Sequence, residues 1–505
     1  MQVRRRSPQV TTGPSAIVLA VLIAVLTGCL AGGSTAAGTA RPPHVPTSAR
    51  GAPVTAVLAL TGNAPVAGPG VAVLAHLGGI GAEVVRAAPA TLRTLRRDAG
   101  VAGLRTDPPV RTSTASVDSS GTGVFPWQRL GAQAGRPEAG REVTVAVVDT
   151  GIADTPALNR ASGRLVDGVD TSGLATGGLS TGHEVDTEGV FSDGFGHGTF
   201  MADLLAGGAV PGVDTGADRG LGVALGARVV SVKVADDGGV TSLSAVLAGP
   251  DWVASHRPID VVSLSLAADR PGGAYGADPL TMAVRHLRHA GVSVVVAAGN
   301  TAGEVADPGF EPQALTVGAA DTTEKAPSVA PFSGAGVVHG VQKPDLVAAG
   351  VHLQSLLPAD SEIARSYPTA QLPSGLWRGS GTSQATAVTA GVVAMYLGAH
   401  PGASPAAVSA AMRGAAAPMA DSRAGAGMLA VPGNADVPDV DVGTLDRQAW
   451  WADGWDAPGW VQALNAAWST DVWTATSGSS NPWSAKSWSA KSWSAEPWDD
   501  GVTGR

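Results

Sequence analysis

Cysteine is nearly absent from this chain of 505 residues: Cys29 stands alone, so no intramolecular disulfide can form. Lysine is scarce as well, with five residues, and the formal net charge is −9. No basic patch dominates, which excludes nucleic acid as a partner. Long apolar runs are also missing. The longest, residues 16–26, has 11 residues, against the roughly 20 that span a bilayer. Aromatic residues make up 4% of the chain and are unevenly spread, with ten of the 13 tryptophans lying between Trp450 and Trp498.

Apolar residues make up 44% and glycines number 68, a balance that suits a loop-rich globular α/β protein. The length calls for a main domain with accessory segments. Arg4, Arg5 and Arg6 precede the short apolar run, so residues 1–28 read as an export signal. Leu26-Thr27-Gly28-Cys29 follows and resembles a bacterial lipobox. That resemblance implies lipidation of Cys29, membrane attachment through the lipid and a cell-surface location, with a plain signal peptide and secretion as the alternative. Residues 29–52 are Ala, Gly, Thr, Ser and Pro without pattern and read as a flexible tether.

Order returns over residues 53–110. Val54–Leu60 and Ala82–Arg86 are predicted strands, residues 70–77 a short helix, Pro89–Asp98 a helix, and residues 101–110 an extended ending. Residues 111–123 are rich in Ser, Thr and Gly and read as a linker and maturation site in which no single bond stands out. From 124 to 434 short apolar strands alternate with helices. Strands are expected at 142–149, 227–234, 259–266 and 293–298, with helices at 243–255 and 279–290. Such alternation implies a mostly parallel sheet covered by helices on both faces, with functional residues at the carboxyl ends of the strands. Residues 435–505 form a low-complexity tail in which Trp483, Trp488, Trp493 and Trp498 recur five apart, a spacing that lines one face of neither helix nor strand.

Three segments inside the main domain carry the chemistry. Asp149 ends the run Val145–Val148 and is followed by Thr150-Gly151. His197 lies in Gly196-His197-Gly198-Thr199, ahead of an apolar helical run, and Ser383 lies in Gly379-Ser380-Gly381-Thr382-Ser383. A serine hydroxyl becomes a nucleophile when an imidazole takes its proton, and a carboxylate holds that imidazole in the right tautomer. Asp149 is expected to be partly buried, and His197 to present its ring at the exposed start of a helix. No Gly-x-Ser-x-Gly elbow surrounds Ser383, which argues against an esterase.

With Asp, His and Ser in that order, the sequence resembles a subtilase, a subtilisin-like serine peptidase. The resemblance covers about residues 124–434. It implies a serine endopeptidase acting on protein or peptide substrates, with Asp149, His197 and Ser383 as triad and no cofactor or catalytic metal required. Asn300, ending Val294–Gly299, corresponds to the family's oxyanion donor. Ser265, Leu266 and Ala267 correspond to the strand that substrate backbone joins, and Ala297, Ala298 and Gly299 to the facing wall. Family members commonly have glycine at the position of Ala267. Structural calcium is common in the family, but no loop for it is identifiable in the sequence. Residues 53–110 resemble the family's inhibitory propeptide, which makes the chain's own leader an intramolecular inhibitor. Two departures point to an alternative, an inert subtilase-fold binding or scaffold protein. Asp203 stands where the family has a small residue, and Gln384-Ala385-Thr386-Ala387 replaces the usual Met-Ala-Thr-Pro.

Overall fold

The computed structural model describes residues 52–433 apart from 63–64, 67, 108, 113–122, 175–188, 217, 257, 268–277 and 339, and of 109–112 and 267 it describes the backbone alone. The expected export signal, Cys29, the tether and the tryptophan-rich tail lie outside the described residues.

The leader folds as a four-stranded antiparallel sheet of β1 (Val54–Leu60), β2 (Val71–Leu77), β3 (Ala82–Ala87) and β4 (Val101–Thr106), in the order β2-β3-β1-β4. Helix α1 (Pro89–Leu95) crosses one face and buries Leu92 and Leu95 against Leu58, Val85 and Leu104. The expected helix over 70–77 is instead β2. Its apolar residues suit either period, and pairing with β3 from Val71↔Ala87 to Leu77↔Ala82, with a bulge between Val73 and Ala75, decides the matter. Strand β5 (Pro109–Thr112) follows.

The main sheet has eight strands. They are β6 (Thr144–Asp149), β7 (Leu165–Asp170), β8 (Arg228–Lys233), β10 (Val261–Leu264), β12 (Ser293–Ala297), β13 (Leu315–Asp321), β14 (Ser328–Val329) and β17 (Leu346–Ala349). All pairings are parallel except β13–β14, so the expected mostly parallel α/β sheet is present. The strands read as continuous valine runs because both faces are covered. Val145, Val147, Val261 and Val295 enter one core, while Ala146, Val148, Val262 and Val294 enter the other.

Helices α2 (His197–Ala206) and α6 (Thr382–Ala399) cover the first face, and α3 (Leu243–Ser255) and α4 (Pro279–His289) the second. Helix α6 is buried on every side from Thr382 to Ala394, its Thr, Ser and Gln side chains included. It runs unbroken for 18 residues, with Ala387 in place of proline. The smaller strands and helices are β9 (Thr241–Ser242), β11 (Leu266–Ala267), the hairpin β15 (Gly336–Val338) and β16 (Val341–Lys343), the pair β18 (Leu353–Ser355) and β19 (Trp377–Gly379), α5 (Glu362–Ser366) and α7 (Pro405–Ala415).

The leader sheet turns its second face onto α3 and α4, where Val57, Leu74, Leu77, Ile80 and Val84 share a core with Leu247, Val253 and Leu287. Two polar contacts fix this docking. The Gly79 N–H donates to Asp251 Oδ1 at 3.0 Å. The Asp107 carboxylate accepts the Ser244 N–H at 2.7 Å and the Ser244 hydroxyl at 2.5 Å, at the start of α3, where backbone N–H groups lack helical partners. Beyond it β5 lies between β11 and β9, antiparallel to both.

Candidate active site

Parallel register sets the floor of the site. Leu264 pairs with Val148 on one side and Val296 on the other, so the next row places Ser265 alongside Asp149 and Ala297 at the carboxyl edge. Past Asp149 the chain turns at Gly151, whose φ is +106°. A β-carbon at Gly151 would meet Ser192 O at 2.1 Å, and one at Gly198 would meet Gly151 O at 2.1 Å. These two glycines let the strand end and the start of α2 touch through their backbones.

That contact brings Asp149 and His197 together. His197 Nδ1 lies 2.7 Å from Asp149 Oδ1, and both side chains are fully buried. The same Oδ1 accepts the Thr150 N–H at 2.8 Å. The expectations of a partly buried Asp149 and an exposed His197 are both corrected, because every residue of β6 and all ten residues of α2 are buried. Asp149 Oδ2 and His197 Nε2 are buried and make no hydrogen bond among the described residues.

Helices α2 and α6 pack side by side. At Gly391 a β-carbon would sit 3.3 Å from Leu205 O. Gly391 and Leu205 each lie eight residues past Ser383 and His197 respectively, a rise of about 12 Å along either helix. Ser383 and His197 each stand that distance before the contact, at the N-terminal ends of two packed helices. Ser383 is tied to the strand edge by a reciprocal pair. Its hydroxyl donates to Ser265 O at 3.2 Å, and the Ser265 hydroxyl donates to Ser383 O at 3.4 Å.

Asn300 stands beside this helix start. Its Oδ1 accepts both the N–H and the hydroxyl of Thr382, each at 2.9 Å. Because a backbone N–H can only donate, the amide oxygen is fixed towards Thr382, and Nδ2 is the amide's donor end. Thr382 Oγ1 in turn accepts the Gly299 N–H at 3.2 Å. Ala297 and Ala298 are buried at the end of β12, level with Ser265 and Leu266. The backbone of Ala267 lies in β11.

Sequence reasoning missed two residues that organise the site. Asp193 accepts four bonds, from the Thr150 hydroxyl at 2.8 Å, the Gly196 N–H at 2.7 Å, and the Thr199 N–H and hydroxyl at 2.8 and 2.7 Å. It thereby locks the turn after Asp149 to the start of α2. Burial pushes its carboxyl up from the ordinary range, while the four donors pull it back. Thr382 is the other. An Asp three residues before Gly-His-Gly and a hydroxyl just before the serine were the available signals.

Asp203, the expected source of trouble, is wholly buried on α2 and accepts the Thr155 hydroxyl at 3.2 Å. Burial raises its pKa to about 8, against opposing effects of the Thr155 bond and the Arg164 charge. The carboxyl is thus largely protonated at neutral pH and fits the helix interface as a neutral group. The raised value has a consequence for stability. Unfolding releases the proton between about pH 4 and about pH 8, so stability should fall as pH rises through that window and level off above it. Asp203→Asn is expected to match the wild type in melts at pH 4, near the foot of this window, and to be more stable at pH 8 by on the order of a few kcal/mol. Equal melting differences at both pH values would show that Asp203 does not titrate in this window.

Among the described residues no group of three or more His, Cys, Asp or Glu is placed to hold a metal ion. No described helix is long and apolar enough to cross a membrane.

A buried carboxylate–imidazole pair and a serine at neighbouring helix starts, above the carboxyl edge of a parallel α/β sheet, belong to the serine-type endopeptidases. Comparison with known proteins narrows the class: the Subtilase family profile matches residues 140–429, and the chain belongs to that family. Serine protease AprX of Bacillus subtilis (strain 168) is 34% identical over 277 residues, 52% of this chain and 58% of that protein. M-protease of Shouchella clausii (strain KSM-K16) is 30% identical over 316 residues, 62% of this chain and 67% of the relative. Subtilisin Savinase of Lederbergia lenta is 31% identical over 257 residues, 51% of this chain and 76% of the relative. The chain thus spans less than two thirds of AprX and about two thirds of M-protease. Nothing in these similarities supports the inert scaffold.

Proposed function

We propose that this protein is an exported endopeptidase that hydrolyses peptide bonds through Asp149, His197 and Ser383, and that its leader inhibits it until removed. The observation that carries the proposal is the buried 2.7 Å contact of His197 with Asp149, at the start of a helix packed against the one whose first turn holds Ser383.

The chemistry follows from the geometry. Asp149 accepts the Nδ1–H of His197, which leaves Nε2 as the basic nitrogen. The Ser383 hydroxyl, now donated to Ser265 O, has to turn to reach it. A substrate that adds as a strand beside Ser265 offers its own N–H to that carbonyl and releases the hydroxyl. Ser383 Oγ then attacks the substrate carbonyl as His197 takes its proton. Asn300 Nδ2 and the Ser383 N–H at the head of α6 face the developing oxyanion, where a helix N-terminus favours negative charge. His197 returns the proton to the leaving amine, and water hydrolyses the acyl-enzyme. Asn300→Ala is expected to lower kcat by about 10²–10³-fold with little change in KM, the size found for the matching donor in subtilisin. An equal loss in 1/KM would instead assign Asn300 to ground-state binding.

Ser265–Ala267 and Ala297–Gly299 serve as the two walls of the cleft. The leader reading is supported by β5, whose backbone occupies the edge of β11 that a substrate strand would use. Export rests on residues 1–28 and surface anchoring on Cys29, for which incorporation of labelled fatty acid, lost in Cys29→Ser, is the check. The direct test of the activity is hydrolysis of denatured casein after removal of the leader. Wild type should cleave it and Ser383→Ala should not; equal cleavage by both would end the proposal.

A further inference from the structure

Gln384 follows the nucleophile and brings a polar side chain into the first turn of α6. The residue is wholly buried, and neither Nε2 nor Oε1 makes a hydrogen bond among the described residues. A buried amide offers two donor hydrogens and an acceptor oxygen, and leaving them unpaired is costly, so such a group calls for a reason. Its place in the fold supplies one. One residue past the paired Val148 and Leu264, Asp149 and Ser265 stand in one row of neighbouring strands. His197 is bonded to the first and Ser383 to the second. The starts of α2 and α6 are therefore neighbours at the carboxyl edge of the sheet. Gly391, whose β-carbon would sit 3.3 Å from Leu205 O, marks the face of α6 that lies against α2. Gln384 is seven residues earlier, about two turns, and so shares that face. Side chains on a helix lean towards its N-terminus, which carries the amide back towards His197 and Ser383.

We propose that Gln384 positions the water that hydrolyses the acyl-enzyme. The inference rests on the peptidase reading above and assigns a residue to the second half of that reaction. His197 protonates the leaving amine and then takes a proton from water through the same Nε2, so amine and water use one space in turn. Nε2 is itself buried and makes no hydrogen bond among the described residues. A water between Nε2 and Gln384 satisfies both. One of its protons points to Nε2, the other donates to Gln384 Oε1, and an oxygen lone pair remains for the ester carbon. In the step itself, the water oxygen bonds to the acyl carbon as His197 takes its proton. The bond from that carbon to Ser383 Oγ breaks, and His197 returns the proton to Oγ. The products are a carboxylic acid, which ionises, and a restored Ser383. An amide set between two packed helices admits a molecule the size of water more readily than a polypeptide segment. Gln384 acts through that water and not on the peptide, which makes it a positioning residue.

The test compares wild type with Gln384→Met on a peptide ester after the leader has been clipped, with active sites counted by a serine-directed fluorophosphonate probe. Methionine is unbranched and similar in length, so it fills the space without an amide. When acyl-enzyme accumulates, kcat reports its breakdown and kcat/KM its formation. Gln384→Met should lower the ester kcat about tenfold per active site, while kcat/KM and the rate of labelling change by less than about twofold. With glycinamide added as a competing nucleophile, the ratio of acyl transfer to the amine over hydrolysis should rise about tenfold. That ratio does not depend on how much of the variant folds. Equal losses in kcat, kcat/KM and labelling, with the ratio unchanged, would make Gln384 a packing residue and overturn the assignment. An unchanged ester kcat and ratio would overturn it as well. A wild type that shows neither labelling nor a burst of ester cleavage would overturn the peptidase reading itself.

Discussion

Ser383→Ala is expected to lower kcat of the matured enzyme about 10⁶-fold, and adding His197→Ala to it should cost almost nothing more. The non-additivity is the informative part. A hydroxyl without its base and a base without its hydroxyl are equally idle, and in subtilisin removing either residue costs about as much as removing the whole triad. The same dependence is expected here once substrate frees the Ser383 hydroxyl from Ser265 O to meet Nε2 of His197, which makes no hydrogen bond among the described residues. Single-turnover rates for the two single variants and the double variant provide the measurement. A double variant slower than either single one by a further factor of 10³ or more would mean that the two residues act independently, which a proton-transfer pair cannot do.

Asp149→Ala should have the next largest effect, about 10⁴-fold in kcat, the order seen when the equivalent carboxylate is removed from subtilisin. Alanine removes both the acceptor that fixes Nδ1–H and the charge that stabilises the imidazolium. Asp149→Asn separates the two. Oδ1 is held by the Thr150 N–H as well as by His197, so the amide oxygen should occupy that position and keep the imidazole tautomer. The amide NH₂ then falls at Oδ2, a buried position that makes no hydrogen bond among the described residues. Asparagine should therefore retain at least ten times the activity of alanine, with loss of charge and an unpaired buried donor as its penalty. Equal activities would mean that charge, and not orientation, is what Asp149 supplies.

Much of the fold could be read from local sequence because local sequence determines it. The valine runs that feed both cores had to be strands of a doubly covered sheet, and α3 occupies the residues expected, 243–255, with the Ser242 side chain capping it. Asp149 at a strand end, His197 at a helix start and Ser383 near another were legible for the same reason. What escaped depends on contacts distant in the chain. Strand β2 became a strand through its pairing with β3, which the apolar pattern of 71–77 cannot show. The burial of His197 follows from α6 and the strand ends closing over α2. Asp203 looked disruptive because its partner, Thr155, sits 48 residues away. Asp193 and Thr382 drew no notice, since four converging donors and a cross-chain amide are properties of the folded site.

The most direct measurement maps the fluorophosphonate adduct on the full chain after the leader has been clipped, with casein hydrolysis followed on the same sample. One adduct on Ser383, formed at the rate at which casein cleavage is lost, is the expected result. Persistent casein cleavage with Ser383 unmodified, or an adduct on another serine, would contradict the assignment of Ser383 as the nucleophile of a peptidase.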